Sequence, residues 1–214
     1  MGKIPGVSCS KRAAVEAAIR HLTSADPILS AIITKVGPYR LQSRKPTFET
    51  LARSIVYQQV SGKAAASIFA RLKTAAGPRF SAKGVLRLTP EELRACGLSA
   101  QKAAYIRDLA GRVAARQINF RRLFELNDEE IIESLTQVKG VGVWTVQMFL
   151  MFALERPNVF PLSDLGIRNA IQRAYNLPEP PKPADMLRIS ACWHPYCSVA
   201  SWYLWRSLDG QAIL

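Results

Sequence analysis

Acidic residues and long apolar runs are both scarce in this 214-residue chain. The 16 Asp and Glu residues are outnumbered by 29 Lys and Arg residues, which gives a formal net charge of +13 and a pI near 10.0. Because this positive excess is spread along the sequence, it favours a polyanionic partner, nucleic acid first of all. No apolar run approaches the roughly 20 residues that a membrane-spanning helix needs, and the N-terminal residues lack the apolar core of a signal peptide. We therefore expect no membrane partner and a cytoplasmic, nucleoid-associated location.

Cysteine is also sparse, and its spacing excludes most cysteine chemistry. The four cysteines, at positions 9, 96, 192 and 197, are too few and too scattered for the disulfide framework of a small secreted protein. Cys192, His194 and Cys197 could supply three metal ligands within one short segment, but a closed zinc site needs a fourth. Reduced thiols without zinc are the expected state.

Apolar residues, by contrast, make up 49% of the chain and recur mostly at helical spacing. Strand-like alternation is scarce, and the proline-rich residues 177–183 are typical of a spacer between helices. Helix starts are indicated where a polar capping residue precedes an apolar periodic segment. These capping residues are Ser10, Asp26, Thr47, Ser61, Thr89, Ser99 and Asn127. We expect an all-α protein of roughly ten or more short helices.

A glycine-containing turn at residues 138–142 separates two apolar helical patterns within residues 135–153. Gly140 and Gly142 allow positive φ and a close approach of the backbone to a ligand. The amides that open the next helix point outward with the positive end of the helix dipole behind them, which suits a phosphate. Alternatively, the glycines only permit a tight turn between two helices. The spacing alone favours neither interpretation.

Four blocks of sequence place this turn in a wider pattern. They are residues 54–72, residues 97–110, residues 135–152 with 159–171, and residues 193–206. In order and approximate spacing, these blocks resemble the helix-hairpin-helix DNA glycosylase superfamily. The resemblance covers most of the chain and is closest to the compact AlkA-type 3-methyladenine DNA glycosylase II family.

The resemblance implies one compact, all-α glycosylase unit over residues 1–214, built from two helical lobes. The first lobe would span residues 45–163 and end in the helix-hairpin-helix at 135–153, and the second would join residues 1–44 to 164–214. The larger AlkA proteins carry an extra N-terminal mixed α/β domain, for which this sequence has no room before Ser54. The expected fold is therefore the version without that domain.

Asp164, downstream of the turn, matches the essential aspartate of the family. Cleavage of a glycosidic bond develops positive charge on the sugar, which a fixed carboxylate stabilises while it orients the attacking water. A cationic alkylated base is already a good leaving group, so one acid can suffice. Alternatively, Asp164 is only the N-cap of the helix that follows it. Both roles can hold together.

Trp144 distinguishes between two mechanisms. In the related endonuclease III branch, the position two residues after the second glycine holds a lysine that forms a Schiff base with the sugar and then cuts the strand. Trp144 occupies that position here, and Lys139 lies inside the turn as a surface or phosphate-facing charge. We therefore expect a monofunctional enzyme that leaves an abasic site. That branch often carries an iron–sulfur cluster on four closely spaced cysteines, which this chain cannot build, so no cofactor is required.

Aromatic residues would recognise the base. By resemblance, Trp144 and Trp205 match the pocket tryptophans of the family, whose ring faces attract a positively charged methylated purine by stacking and cation–π contact, worth about 0.5 to 2 kcal/mol each. Met148, one turn after Trp144, would form a wall of the base pocket. One of the two tryptophans in residues 202–206 must pack in the core, and we assign Trp202 to the core and Trp205 to the pocket.

A target nucleotide must leave the base stack, and a side chain must fill the gap. Gln59 matches the wedge position of the family. Without the surrounding block of sequence, Gln58 and Gln59 would equally well be polar residues at a helix end. The residues expected to bind DNA phosphates are Gly140, Gly142, Thr145, Ser61, Gly62, Lys63 and Lys102. The expected partner is double-stranded DNA containing alkylated bases, bound by a monomer.

Two further properties follow only from the resemblance. The hairpin of this family often holds a monovalent cation, Na⁺ or K⁺, through main-chain carbonyls, which here would belong to Thr136, Val138 and Val141. Cys197 stands where many relatives have arginine, which would weaken a structural or phosphate contact without removing catalysis.

The predicted function is base excision repair: flipping and hydrolytic removal of 3-methyl- or 7-methylpurine-type bases. The alternative is a non-catalytic helix-hairpin-helix module that only binds DNA. Asp164 is the residue that separates the two hypotheses, because only the enzyme needs its carboxylate for chemistry.

Overall fold

The computed structural model describes the backbone of residues 6–208 and the side chains of residues 11–208. Within that range the chain forms α-helices and two 3₁₀ turns, and no strand, which confirms the all-α expectation. No helix in this part of the chain has both the length and the apolarity that crossing a membrane requires. The helices are α1 Gly6–Ala25, α2 Pro27–Val36, α3 Phe48–Tyr57, α4 Gly62–Ala76, α5 Ala82–Leu86, α6 Pro90–Ala95, α7 Ala100–Ala114, α8 Asp128–Thr136, α9 Val143–Phe152, α10 Leu165–Ala174, α11 Pro183–Ser190 and α12 Cys197–Ser207; the 3₁₀ turns are Leu123–Glu125 and Ala191–Trp193.

Most of the predicted capping residues begin a helix as expected. The side chains of Asp26, Thr47, Ser61 and Ser99 accept hydrogen bonds from first-turn amides. Thr89 and Asn127 form complete capping boxes with the glutamates three residues later. Such caps satisfy amides that have no partner inside the helix. They are local in sequence, which is why the sequence predicts them.

The helix start predicted at Ser10 was wrong. Helix α1 begins at Gly6, so Ser10 lies inside it. No proline stands between Gly6 and Ser10, and serine is tolerated within a helix as well as at its start, so the backbone hydrogen bonds extend past the expected cap. The sequence analysis also did not predict the short helix α5.

The chain divides into two compact units. The central unit is Ser43–Glu155, and the terminal unit combines the described residues up to Gln42 with those from Arg156 onward. The second boundary precedes the one expected at 163, so the segment that leads into Asp164 lies in the same unit as Asp164 itself.

Helix α7 is the main packing element of the central unit, and it contacts α3, α5 and α6. Its residues Ile106 and Leu109 are fully buried, as are Leu51 and Ile55 of α3. Helices α8 and α9 pack against each other, and α9 also contacts α3. The turn between α8 and α9 is therefore supported from both flanking helices.

Helix α12 has the corresponding role in the terminal unit, where it packs against α1, α2 and α10. Its residues Tyr203 and Leu204 are fully buried in a core that includes Leu22, Leu29 and Ile171. The hydroxyl of Tyr203 donates to the carbonyl of Gly37 at 3.1 Å. Trp205, in the last turn of α12, thus follows directly after two residues that the core holds in place.

The buried carboxylate of Asp26 connects distant parts of the terminal unit. Its Oδ1 accepts from the amides of Ile28 (2.9 Å) and Leu29 (3.0 Å), and its Oδ2 accepts from Trp193 Nε1 (2.7 Å) and from the Tyr175 hydroxyl. Burial, followed by the contact with Asp26, raises the pKa of Tyr175, so this hydroxyl keeps its proton and remains a donor. Asp26 is only 5% exposed, and these four donors supply the hydrogen bonds that a buried carboxylate needs.

Replacing Asp26 should therefore destabilise the protein. We expect Asp26→Ala to lower the free energy of unfolding by about 3 kcal/mol, because it removes a cap and leaves the Trp193 and Tyr175 donors buried without an acceptor. Urea denaturation measures the difference. Asp185→Ala is the control, since the Asp185 side chain is 46% exposed and pairs with Arg188 at the surface. Equal stabilities for the two variants would contradict this role for Asp26.

Candidate functional site

Asp164 begins helix α10. Its own amide donates to the carbonyl of Pro161 at 2.9 Å, which closes a turn just before the helix. Its Oδ1 accepts from the amide of Ile167 at 2.8 Å, so the capping role is confirmed. The residue is 9% exposed. A cap of this kind holds a carboxylate in one place, which is what a catalytic acid also requires.

Trp205 makes the contact that the sequence does not predict. Its indole Nε1 donates to Oδ1 of Asp164 at 2.9 Å. The two residues are 41 positions apart in the chain, so no local pattern links them. Trp202, in contrast, is 6% exposed and packs against Tyr39 and Tyr203 with ring centroids 4.7 and 4.9 Å apart. Trp202 thus lies in the core, as predicted.

In the central unit, only one of the two hairpin glycines is required by the local structure. Gly140 has a φ of +78°, and a Cβ there would lie 2.0 Å from the ring of Tyr105. Gly142 has a φ of −93°, and a Cβ there would meet nothing within 4 Å. Only Gly140 therefore uses the positive φ that both glycines allow. Gly142 is the extended N-cap of α9, a conformation that any residue adopts.

The start of α9 differs from the capped helix starts. No side chain caps it in the described structure, and its first turn contains no acidic residue. Val143 and Trp144 of that turn are 50% and 44% exposed. Thr145 is buried, at 6% exposure, so its hydroxyl faces the protein. Met148, one turn further, is half-buried.

A carboxylate on α7 holds the hairpin turn in place. Oδ2 of Asp108 accepts from the amide of Lys139 and from Nε of Arg112, each at 3.0 Å. Burial acts to raise the pKa of Asp108, but the hydrogen bonds from Lys139 and Arg112 and the charges of both residues outweigh it and lower the pKa. The sequence analysis did not identify Asp108, because its partner is distant in the chain.

The predicted wedge lies on a second constrained turn. Gln59 has a φ of +53° and is exposed. The side-chain nitrogen of Gln58 donates to the carbonyl of Gly140 at 2.9 Å and reaches Oγ1 of Thr145 at 3.5 Å. Gln58 therefore connects the end of α3 to the hairpin, which is more specific than the role of a polar residue at a helix end.

The side chain of Lys102 forms hydrogen bonds within the protein. Its ammonium donates to the carbonyl of Val56 at 2.8 Å and to that of Gln58 at 2.5 Å, and burial lowers its pKa. The amine thus supplies donors to carbonyls at the C-terminal end of α3. Its predicted phosphate contact stays a prediction, and it would compete with these two bonds.

These turns line a cleft of about 440 Å³ within the central unit. The residues around it are Gln58, Gln59, Val60, Ile68, Gly97, Ser99, Gln101, Lys102, Tyr105 and Gly140. Ser61, Gly62 and Lys63, at the start of α4, are exposed, and a Cβ at Gly62 would meet nothing within 4 Å. The cleft brings the predicted wedge close to the hairpin glycine Gly140.

The cysteine and histidine side chains do not form a metal site in the described part of the chain. Cys192 is exposed, whereas Cys197 is fully buried, and burial raises the pKa of its thiol to about 12. Cys197 is therefore a packing residue of α12 at neutral pH. At the hairpin, the carbonyl of Val138 accepts from the amide of Val141 at 3.0 Å.

Known proteins match this chain over most of its length. The family model described as the HhH-GPD superfamily base excision DNA repair protein matches residues 52–195. DNA-3-methyladenine glycosylase 1 of Schizosaccharomyces pombe is 36% identical over 193 residues, which cover 87% of this chain and 85% of that protein. The solved structure of an S. pombe 3-methyladenine DNA glycosylase in complex with abasic DNA matches with a TM-score of 0.80 and 35% identity, over 90% of this chain and 97% of that one. A Bacillus halodurans DNA-3-methyladenine glycosidase matches with a TM-score of 0.81 and 32% identity, over 89% and 88% of the two chains.

The hairpin glycines should respond differently to alanine. We expect Gly140→Ala to lower the free energy of unfolding by about 2 to 4 kcal/mol, because the new Cβ meets Tyr105 and the backbone is left-handed. Gly142→Ala should change it by no more than about 0.5 kcal/mol. Urea denaturation of both variants makes the comparison, and each serves as the control for the other. Similar losses in the two variants would refute the distinction.

The contribution of Asp108 should depend on pH. Because its folded-state pKa is lowered, the stabilisation is present above the ordinary aspartate pKa of about 3.9 and is lost as pH falls through the folded value. We expect Asp108→Asn to lower the free energy of unfolding by about 1 kcal/mol at pH 7 and by progressively less as the medium is acidified below about pH 4. Denaturation at several pH values measures this. A deficit that stays constant down to pH 3 would argue against the charged contact, and Asp185→Asn is the surface control.

Proposed function

Because the chain belongs to the HhH-GPD superfamily of base excision DNA repair proteins, we propose that it is a 3-methyladenine-type DNA glycosylase. It removes alkylated bases from double-stranded DNA by hydrolysis and leaves an abasic site. The observation that carries the proposal is the Asp164 carboxylate, held by the Ile167 amide and the Trp205 indole at 9% exposure. A relative of matching length with this enzyme name, 36% identical, supports it.

Hydrolysis of the bond between an alkylated base and its sugar requires one carboxylate in a fixed position. The bond from C1′ of the deoxyribose to the base nitrogen breaks, and its electron pair leaves with the base. A water oxygen bonds to C1′ and gives up a proton to the surrounding solvent. Asp164 stabilises the cationic sugar and orients that water. An alkylated purine already carries positive charge, so it leaves without a second acid.

The hairpin residues support hydrolysis rather than an amine-based mechanism. Trp144 occupies the position where the related endonuclease III branch has its Schiff-base lysine. The neighbouring lysine, Lys139, lies in the turn, where its amide donates to Asp108. The product is then an abasic site in an intact strand.

Selection of the base falls to Trp144, with Met148 of the same helix as a wall of the pocket. Trp144 is 44% exposed, so part of its ring faces solvent, where a base that has left the helix can stack on it. An electron-rich indole favours a cationic purine over a neutral one by cation–π attraction. Charge is therefore the property by which the site tells an alkylated base from a normal one.

DNA binding uses the exposed helix starts of the central unit. The uncapped start of α9 and the open space beside Gly142 admit a phosphate, and Ser61, Gly62 and Lys63 offer a second phosphate contact. The net charge of +13 attracts the negatively charged DNA duplex. Gln59, exposed on a left-handed turn, fills the gap left by the flipped nucleotide.

Two further properties belong to the proposal. The carbonyls of Thr136, Val138 and Val141 would hold a monovalent cation, which would add positive charge beside the phosphate at the hairpin. The chain acts as a monomer, because bending DNA requires no second subunit.

An excision assay with wild type and Asp164→Asn tests the proposal. The duplexes carry 3-methyladenine, 7-methylguanine, hypoxanthine or 1,N6-ethenoadenine. We expect wild type to release free base and Asp164→Asn to lose at least about 100-fold in rate, with DNA affinity retained, because asparagine keeps the oxygen that caps α10. Asp185→Asn, at an exposed carboxylate, should excise at the wild-type rate.

The same assay separates the alternatives. If wild type releases no base from any of the four duplexes but binds them, the chain is a non-catalytic DNA-binding module. Release by Asp164→Asn at the wild-type rate would remove Asp164 from the mechanism. Strand cleavage without heat or added base would show a lyase and overturn the monofunctional assignment.

A further inference from the structure

Gly166 lies in the first turn of α10, next to the contact between Asp164 and Trp205. A Cβ at this position would be 3.1 Å from Oδ1 of Asp164, 3.1 Å from Cδ1 of Trp205 and 3.2 Å from its Nε1. Separations this short are tighter than most real Cβ contacts, so an alanine would force the carboxylate or the indole to move by a few tenths of an ångström. The absence of a side chain at 166 therefore matters to these two groups.

The requirement does not come from the helix. Gly166 has no left-handed φ, and alanine is the better helix former. Gly111, inside α7, provides the comparison: a Cβ there would meet nothing within 4 Å. The neighbours that a Cβ at Gly166 would crowd are the cap carboxylate and the indole that donates to it.

We propose that Gly166 and Trp205 are positioning residues that set the orientation of the Asp164 carboxylate. Trp205 supplies the second donor, and Gly166 leaves the space in which that donor reaches Oδ1. The inference rests on the proposed function, in which Asp164 is the catalytic acid. In this proposal, Trp205 acts by orienting the Asp164 carboxylate and not by stacking on the base.

The hydrogen-bond geometry explains why a second donor is needed. The terminal torsion of an aspartate side chain is broad, so the bond from the Ile167 amide to one oxygen does not by itself fix the carboxylate plane. The indole donor, at 2.9 Å, joins the amide donor, at 2.8 Å, on the same oxygen and restricts that rotation. The indole itself is fixed, because the preceding residues Tyr203 and Leu204 are fully buried in α12.

The test combines Gly166→Ala, Trp205→Phe and the double variant, with Gly111→Ala as the matched helix-glycine control. Phenylalanine keeps an aromatic face but has no N–H. Single-turnover excision rates are measured on duplexes with 7-methylguanine and with hypoxanthine. Affinity is measured on a duplex with a tetrahydrofuran abasic analogue, which cannot be cleaved. Urea denaturation gives the folded fraction to which each rate is normalised.

We expect Gly166→Ala to lose about 3- to 10-fold in rate and Trp205→Phe about 10-fold, with affinities within about twofold of wild type, since small displacements of a catalytic group affect the chemical step. The double variant should match Trp205→Phe alone, because both changes act through one contact. Gly111→Ala should excise at the wild-type rate. The loss in Trp205→Phe should be the same for the cationic and the neutral base.

Several results would overturn the inference. A wild-type rate for Gly166→Ala would show that the space at 166 is irrelevant, and multiplying losses in the double variant would show two independent effects. A loss in Trp205→Phe confined to 7-methylguanine would mean that the indole acts by cation–π stacking. If wild type excises neither base nor any other alkylated base, both the proposed function and this inference are wrong. If wild type is active and Gly166→Ala is as active as wild type, only the inference is wrong.

Discussion

A nearly buried carboxylate must find hydrogen-bond donors, and the terminal unit meets this requirement twice in a similar way. Asp26 and Asp164 each cap a helix, and each accepts an indole N–H from a distant tryptophan. Asp26 has further donors, so that both of its oxygens are held within the core. At Asp164, the amide of Ile167 and the indole of Trp205 both donate to Oδ1. The same pairing of a first-turn amide with a distant indole therefore occurs at both aspartates.

In the central unit, side chains hold main-chain groups of two turns in place. Asp108 accepts from the hairpin amide of Lys139, Gln58 donates to the hairpin carbonyl of Gly140, and Lys102 donates to carbonyls where α3 ends. Buried or half-buried backbone groups outside helices need such partners. The turn that carries the predicted wedge and the hairpin turn are therefore held by the protein's own side chains, and holding a binding turn in place lowers the entropy that binding must overcome.

The difference between what the sequence predicts and what it does not lies in sequence distance. Asn127 and Glu130 form their capping box within four consecutive residues, so the pattern is visible in the sequence. Trp205 and Asp164 are 41 residues apart, and Gln58 and Gly140 are 82 apart, so only the folded chain brings them together. The resemblance to a family predicted that Asp164 and Trp205 belong to one site, but not the bond between them. Ser10 shows the opposite error, because a residue that can cap a helix does not have to begin one.

The three glycines at 140, 142 and 166 differ in whether the backbone or a neighbour excludes a side chain. At Gly140, both the left-handed backbone and the Tyr105 ring exclude a side chain. At Gly166, the backbone is ordinary and only the Asp164–Trp205 contact requires the space. At Gly142, neither the backbone nor any neighbour excludes a side chain, yet as the N-cap of α9 this residue cannot itself offer an acceptor to the first-turn amides. Ser61 does so at the start of α4. In the proposed function, a DNA phosphate is the acceptor at the start of α9.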